Sequence, residues 1–274
     1  MTRSDLPLLR RWMAARIKLT LRNPRAVTFT FAFPIVLVVL FNALNGDAQV
    51  TSAGVKVPFS QFYTPAIGVF SLVAACYTTL IVGISTARDN GLLKRVRGTP
   101  LPLPIYLSAW MTGAALVGLL AVVAMFVVSV PAFGVQIYWQ KMPAAAVTLV
   151  LGAACLTSLG VAVASLVKNA EQAQPVAQLT FLPISFISGI WFPLDNAPDW
   201  LLKVSHFFPL SHIAQAFEAC FVPGPGAAWS GSDLWVVFLW TVAGLFVARR
   251  RFRWEPGTNE GRGFLRRAPA SVNS

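Results

Sequence analysis

The chain has 274 residues, 56% of them hydrophobic and only 12% charged, with a formal net charge of +12. A soluble domain carries about twice that charged fraction, and no Asp, Glu, Lys or Arg occurs in 57–87, 98–140, 142–167, 172–194 or 234–248. Such runs exclude a single large soluble core and read as membrane spans, and the basic residues between them follow the positive-inside pattern rather than that of a nucleic-acid binder.

In residues 1–25, Leu6, Leu9, Met13, Ile17 and Leu21 recur at helical spacing, with Arg11, Lys18 and Arg22 on another face. This predicts an amphipathic helix lying on the membrane surface, ended by Pro24. The first apolar run, 26–44, is too long for a signal-peptide core and lacks a small-x-small cleavage site, so it is expected to be an anchor. The first span is placed at 26–45, with Pro34 tolerated in lipid. A short polar loop holding Asn45, Gly46, Asp47 and Lys56 follows.

The second span, 61–86, is longer than a ~30 Å hydrocarbon core needs and so tilts or protrudes. Residues 87–104 form a basic connector. The third span is 105–133, followed by a loop whose Tyr138 and Trp139 suit the interface. The fourth, 143–167, is rich in small residues such as Gly152, Ser158 and Gly160, which let helices approach closely. A polar turn, 168–174, leads to the fifth span, 175–192.

Between 193 and 228, Pro198, Pro209, Pro223 and Pro225 break the apolar sequence into pieces too short to cross. Pro198 and Ser211 can each start a short helix, so two re-entrant or interfacial helices are expected. The sixth span is 229–248, followed by Arg249, Arg250, Arg251 and Arg253. Cys76, Cys155 and Cys220 form no CxxC and read as small packing residues.

The expected fold is an all-α polytopic membrane protein. It has six transmembrane helices over 26–248, an N-terminal interfacial helix over 1–25, short re-entrant helices between spans five and six, and a basic tail over 249–274. An even span count puts both termini on one side. Of the 22 Lys and Arg residues, 1–25 and 249–274 hold seven each, 87–104 holds four and 168–175 one, leaving Lys56, Lys141 and Lys203 opposite. The first side is therefore cytoplasmic and 193–228 lies outside. No internal repeat suggests an inverted-repeat transporter.

The spans hold essentially no ionisable residues, which disfavours proton-coupled transport. None of the six lysines follows a glycine, so no GxxxxGK[ST] phosphate loop exists and any ATP drive comes from a partner. His206 and His212 are the only histidines. Six apart, and with Glu218 six further on, they are poorly spaced for a metal on one helical face. Asp195 and Asp199 read as capping or surface carboxylates. No catalytic constellation, metal site or cofactor site is expected.

The connector reads Ala87-Arg-Asp-Asn-Gly-Leu-Leu-Lys-Arg-Val-Arg-Gly-Thr-Pro-Leu-Pro-Leu-Pro104. Asp89 suits a helix N-terminus, Lys94, Arg95 and Arg97 suit its C-terminal end, and Gly98 can close it. Pro100, Pro102 and Pro104 then stiffen the exit. A short, rigid, basic helix results, with Leu92, Leu93 and Val96 for docking.

Three stretches carry a resemblance over nearly the whole chain: Arg22-Asn-Pro-Arg25, Gly91-Leu-Leu-Lys-Arg-Val-Arg-Gly-Thr-Pro100, and Phe181-Leu-Pro-Ile-Ser-Phe-Ile-Ser-Gly-Ile-Trp-Phe-Pro-Leu194 with Pro209-Leu-Ser-His212. In order, they resemble the membrane junction, the connector and the fifth span with outer helices of type-2 ATP-binding-cassette (ABC) exporter permeases, the group that includes daunorubicin-resistance-type drug exporters and polysaccharide exporters. That family has an acidic residue before the connector's arginine. Ala87 stands there in this chain, with Asp89 to supply the charge.

The resemblance implies a permease, itself not an enzyme, in the cell (inner) membrane. It implies a second permease copy or close homologue and two cytoplasmic ABC ATPase subunits that carry the ATP and Mg. It makes Arg88, Asp89, Leu92, Leu93, Lys94, Arg95, Val96 and Arg97 the coupling helix, and puts the substrate path at the permease dimer interface. The apolar, aromatic spans lean towards an amphiphilic drug, lipid or glycan. The alternatives are a membrane enzyme acting on a lipid-linked substrate, for which only Asp195, Asp199, His206 and His212 could serve, and an ATP-independent channel or scaffold. An ATPase gene in the adjacent reading frame would favour the exporter.

Overall fold

The computed structural model describes residues 22, 28–46, 48–52, 54–93, 98, 103–194 and 197–251. The interfacial helix expected over 1–25 lies outside these, apart from Arg22, which is helical. Lys94, Arg95, Val96, Arg97 and Asp195 also lie outside them, as does the tail from residue 252.

Uncharged sequence in lipid has no water to pair its backbone groups, so the pairing must be internal and helix is the economical solution. A π-helical turn, Thr28–Ala32, runs into α1 (Phe33–Asn45). Pro34 has no N–H and its ring crowds the preceding turn, and the wider π-turn accommodates both. A hairpin of β1 (Gln49–Ser52) and β2 (Val55–Pro58) follows. Then come α2 (Phe59–Val73), a π-turn (Ala74–Thr78) and α3 (Thr79–Asp89), continuous with one another. The remaining helices are α4 (Leu103–Phe133), α5 (Met142–Leu166), α6 (Ala170–Ile187), α7 (Asp199–Ser205), α8 (Pro209–Glu218) and α9 (Gly231–Arg251).

Among the described residues, four helices are long and apolar enough to cross a membrane: Phe59–Asp89, Pro104–Phe133, Trp139–Leu166 and Gly231–Arg251. They coincide with the second, third, fourth and sixth expected spans. The described parts of the first and fifth are helical but fall short of that length or hydropathy. In α6 the reason is Glu171, Gln172, Gln174 and Gln178 in its first half. At seven and ten residues, α7 and α8 are too short to cross.

The hairpin corrects the all-helical expectation, which had a polar loop there. Ser52 pairs with Val55 and Val50 with Val57, so a two-residue turn joins the strands. Gly54 supplies the positive φ, +74°, that such a turn favours. Val57 is buried with Phe62 and Tyr63, and this anchoring sets the register.

At the centre stands α5, packed against α9, α4, α3 and α8. The small residues expected to allow close approach do so. A Cβ on Gly244 of α9 would lie 2.5 Å from Ser158 Oγ. A Cβ on Gly160 would lie 3.1 and 3.2 Å from the Cys76 and Tyr77 carbonyls, which belong to the π-turn. Cys76, Cys155 and Cys220 are free and buried.

Candidate functional site

Helix α3 ends at Asp89, and Gly91 at φ +68° closes it. Asn90 N–H donates to Thr86 O (3.0 Å) and Gly91 N–H to Arg88 O (3.1 Å). Leu92 and Leu93 are helical again. This corrects the expectation that Asp89 starts the connector helix. A carboxylate in the last turn of a helix meets the carbonyl pole and is unfavourable there. Here it is offset, because Asp89 Oδ2 accepts a hydrogen bond from Ala170 N–H in the first turn of α6. Asn169 caps the same end, accepting from Gln172 N–H at 3.1 Å.

Arg88 turns the other way. Its guanidinium donates to the carbonyls of Ala164 (3.3 Å) and Val167 at the C-terminal end of α5, where the last carbonyls of a helix lack partners. Arg88 is only 4% exposed. Two consecutive residues thus grip both sides of the α5–α6 turn, a cation on the carbonyl pole and an anion on the N–H pole.

Of the eight residues expected to meet an ATPase, Arg88 and Leu93 face inward. Leu93 is fully buried among Leu80, Ile84, Tyr106, Trp110 and Val161, so it packs this chain's own core instead of offering a docking surface. Among the described residues of that set, Leu92, 43% exposed, is the apolar side chain on the surface. Asp89 is occupied by Ala170, and Lys94 to Arg97 are outside the described residues.

The opposite end of the helices carries a polar assembly that spacing did not reveal. Lys141, expected in an interfacial loop, is buried and donates to Val222 O (2.7 Å) and Ala219 O (3.4 Å) just beyond the C-terminus of α8. Gln61 Nε2 donates to Gln136 O and Phe221 O, and Gln61 Oε1 accepts from Gln136 N–H. His206 and His212 do come together, with ring centroids 5.7 Å apart. Their acidic neighbour is Asp233 of α9, whose Oδ1 lies 2.7 Å from His212 Nδ1. Ser230 donates to the Asp233 carboxylate, not to the imidazole, so no activated nucleophile is formed. Among the described residues, no three His, Cys, Asp or Glu side chains gather to hold a metal ion.

Between these ends lies an apolar cavity of about 220 Å³, walled by Leu156, Leu159, Phe181, Ile184 and Trp240 and bounded by Phe208 and Leu210. Its polar feature is the hydrogen bond between Tyr77 of the π-turn and Thr180 of α6, at 2.7 Å.

The architecture is that of a polytopic helical membrane protein in which the last residues of the Phe59–Asp89 helix are bonded to a turn between two neighbouring helices. The chain belongs to the ABC-2 type transporter family, which it matches over residues 8–222. It is similar to the putative transport permease YvfS of Bacillus subtilis (strain 168), 23% identical over 234 residues, covering 85% of this chain and 92% of that protein. It is also similar to the inner membrane transport permease YadH of Escherichia coli (strain K12), 20% identical over 195 residues, covering 70% of this chain and 75% of that one. Family and relatives alike point to a membrane permease of the ABC transporter type.

Proposed function

We propose that this chain is the membrane-spanning subunit of an ATP-driven exporter in the inner membrane, powered by a separate cytoplasmic ABC ATPase that carries the ATP and Mg. In this reading α1 and α6 join the four long helices as spans. Both termini are cytoplasmic, 193–228 lies outside, and α7 and α8 dip into the outer face without crossing. A second copy or close homologue completes the permease. The domain division into 1–25, 26–248 and 249–274 stands on the same reading.

The observation that carries it is the double grip of Arg88 and Asp89 on the α5–α6 turn. A force applied at Leu92 reaches α5 and α6 through two polar contacts, with no slack loop between. Moving α6 against α5 changes the cavity they share with α9. That cavity is apolar and aromatic, which supports an amphiphile as cargo, whether a drug, a lipid or a glycan carried on one.

The test is isolation of the chain from its native membranes with identification of a copurifying ABC ATPase, followed by substrate-stimulated ATP hydrolysis in reconstituted vesicles. Association and stimulation are expected for the native chain and lost for Leu92→Asp. An ATPase that binds and responds equally well to Leu92→Asp removes the connector from the coupling path.

A further inference from the structure

We propose that His212 is a proton-binding latch which, when charged, ties the turn between α7 and α8 to the start of α9. The geometry leads there directly. His212 Nδ1 lies 2.7 Å from Asp233 Oδ1, and Nε2 lies 2.9 Å from the carbonyl oxygen of His206. Both partners act as acceptors, the Asp233 carboxylate also accepting a hydrogen bond from the Ser230 hydroxyl through its other oxygen. An imidazolium donates from both nitrogens and satisfies both contacts, whereas a neutral imidazole donates from one only. After proton loss, one lone pair must face an acceptor.

The bond to the carboxylate is the stronger of the two, so the contact released is the one to His206 O. That carbonyl sits on the turn 206–208, between two short helices. Backbone bonds from the His206, Phe207 and Phe208 N–H groups tie that turn back to α7, and its other side-chain ties are Ser211 Oγ donating to Ser205 O (2.6 Å) and Phe208 O (2.9 Å), and Trp240 Nε1 donating to Phe207 O (3.1 Å). Ser211 bonds only within the α7–α8 unit. Losing the His212 contact leaves Trp240 as the hydrogen bond from α9 to this turn. Phe208 and Leu210 border the apolar cavity, so the latch holds one of its edges.

The titratable and charged groups facing His212 are Asp233 from α9 and His206 from the turn. Glu218 and Lys141 stand at the far end of α8. The Asp233 carboxylate and the His206 carbonyl raise the affinity of His212 for its proton above the ordinary value, against the opposing effect of burial. The sign follows from that direction. The latch is fully closed below about pH 6.5, the ordinary histidine value. It opens as the pH rises through the higher folded value. On the topology proposed above this face meets the outside, so external pH sets the latch.

The chain has two histidines, which makes the test simple. The protein in detergent, labelled with 15N in histidine only, gives signals from two rings, and His206→Gln assigns them. His212 is expected to titrate above about pH 6.5 and to move down in Asp233→Asn. Hydrogen exchange of 199–211, corrected for its intrinsic pH dependence, is expected to rise through the His212 midpoint in the native chain and to show no such step in His212→Gln. A His212 midpoint at or below the ordinary value overturns the proposal, as does native exchange that stays flat through it. If a variant fails to fold, the native titration and exchange still decide. In detergent both faces meet the same buffer, so failure here refutes the latch and leaves the proposed topology untouched.

Discussion

Arg88→Met isolates the connector's grip on the α5–α6 turn. Arg88 is almost fully buried and donates to two carbonyls at the end of α5. A hydrogen bond to a charged group contributes about 1.5–3 kcal/mol. The Ala164 contact at 3.3 Å is long, so one full bond and a fraction of a second give a gross loss of about 2–3 kcal/mol. Methionine fills similar space without the desolvation penalty of a buried guanidinium, which brings the net loss to about 1–2 kcal/mol. At about 2–4 °C per kcal/mol for a chain of this size, the unfolding temperature in detergent falls by roughly 2–8 °C.

Transport should fall much further than that stability change explains, because the contact also carries the proposed movement. The assay is transport and ATP hydrolysis by the reconstituted complex, measured well below the variant's unfolding temperature. The expected outcome is continued hydrolysis with little transport. Arg88→Lys keeps the cation but offers a point charge in place of a fork and should fall between. Full transport with an unchanged unfolding temperature in Arg88→Met would refute both the energetic and the mechanical argument.

Leu92→Asp and Leu93→Asp should part company. The first should insert and fold but lose the ATPase. The second buries an unpaired carboxylate in the core and should lower expression and thermal stability, as detergent size-exclusion and melting measurements will show. Gly244→Ala forces α9 away from Ser158 and the backbone of Leu159. It should destabilise the chain by about 1–3 kcal/mol, read as a lower melting temperature, and an unchanged melt would mean the α5–α9 contact is looser than described. In intact cells an impermeant thiol reagent should label Lys203→Cys but not Ser274→Cys, and the reverse pattern would invert the proposed topology.

The sequence by itself determined where the long helices run. Charge-free stretches at 57–87, 98–140, 142–167 and 234–248 become Phe59–Asp89, Pro104–Phe133, Trp139–Leu166 and Gly231–Arg251. The reason is local: each such run must satisfy its own backbone in lipid, and a helix does so without help from elsewhere. Pro198 likewise marked the start of α7, whereas the second short helix, expected to start at Ser211, begins two residues earlier at Pro209. The hairpin at 49–58 was missed because four-residue strands leave only a short alternation, and their register depends on burying Val57 against α2.

Tertiary structure alone decided the use of the polar residues. Asp89 meets Ala170 across 81 positions, Arg88 meets Val167 across 79 and Lys141 meets Val222 across 81. Composition marked all three as cytoplasmic or interfacial charges. Their partners are helix ends, whose unpaired N–H and C=O groups occur at every terminus and carry no residue-specific signature. Which charge reaches which helix end is set by how the helices pack, and that packing turned two expected docking residues, Arg88 and Leu93, inward and left Leu92 on the surface.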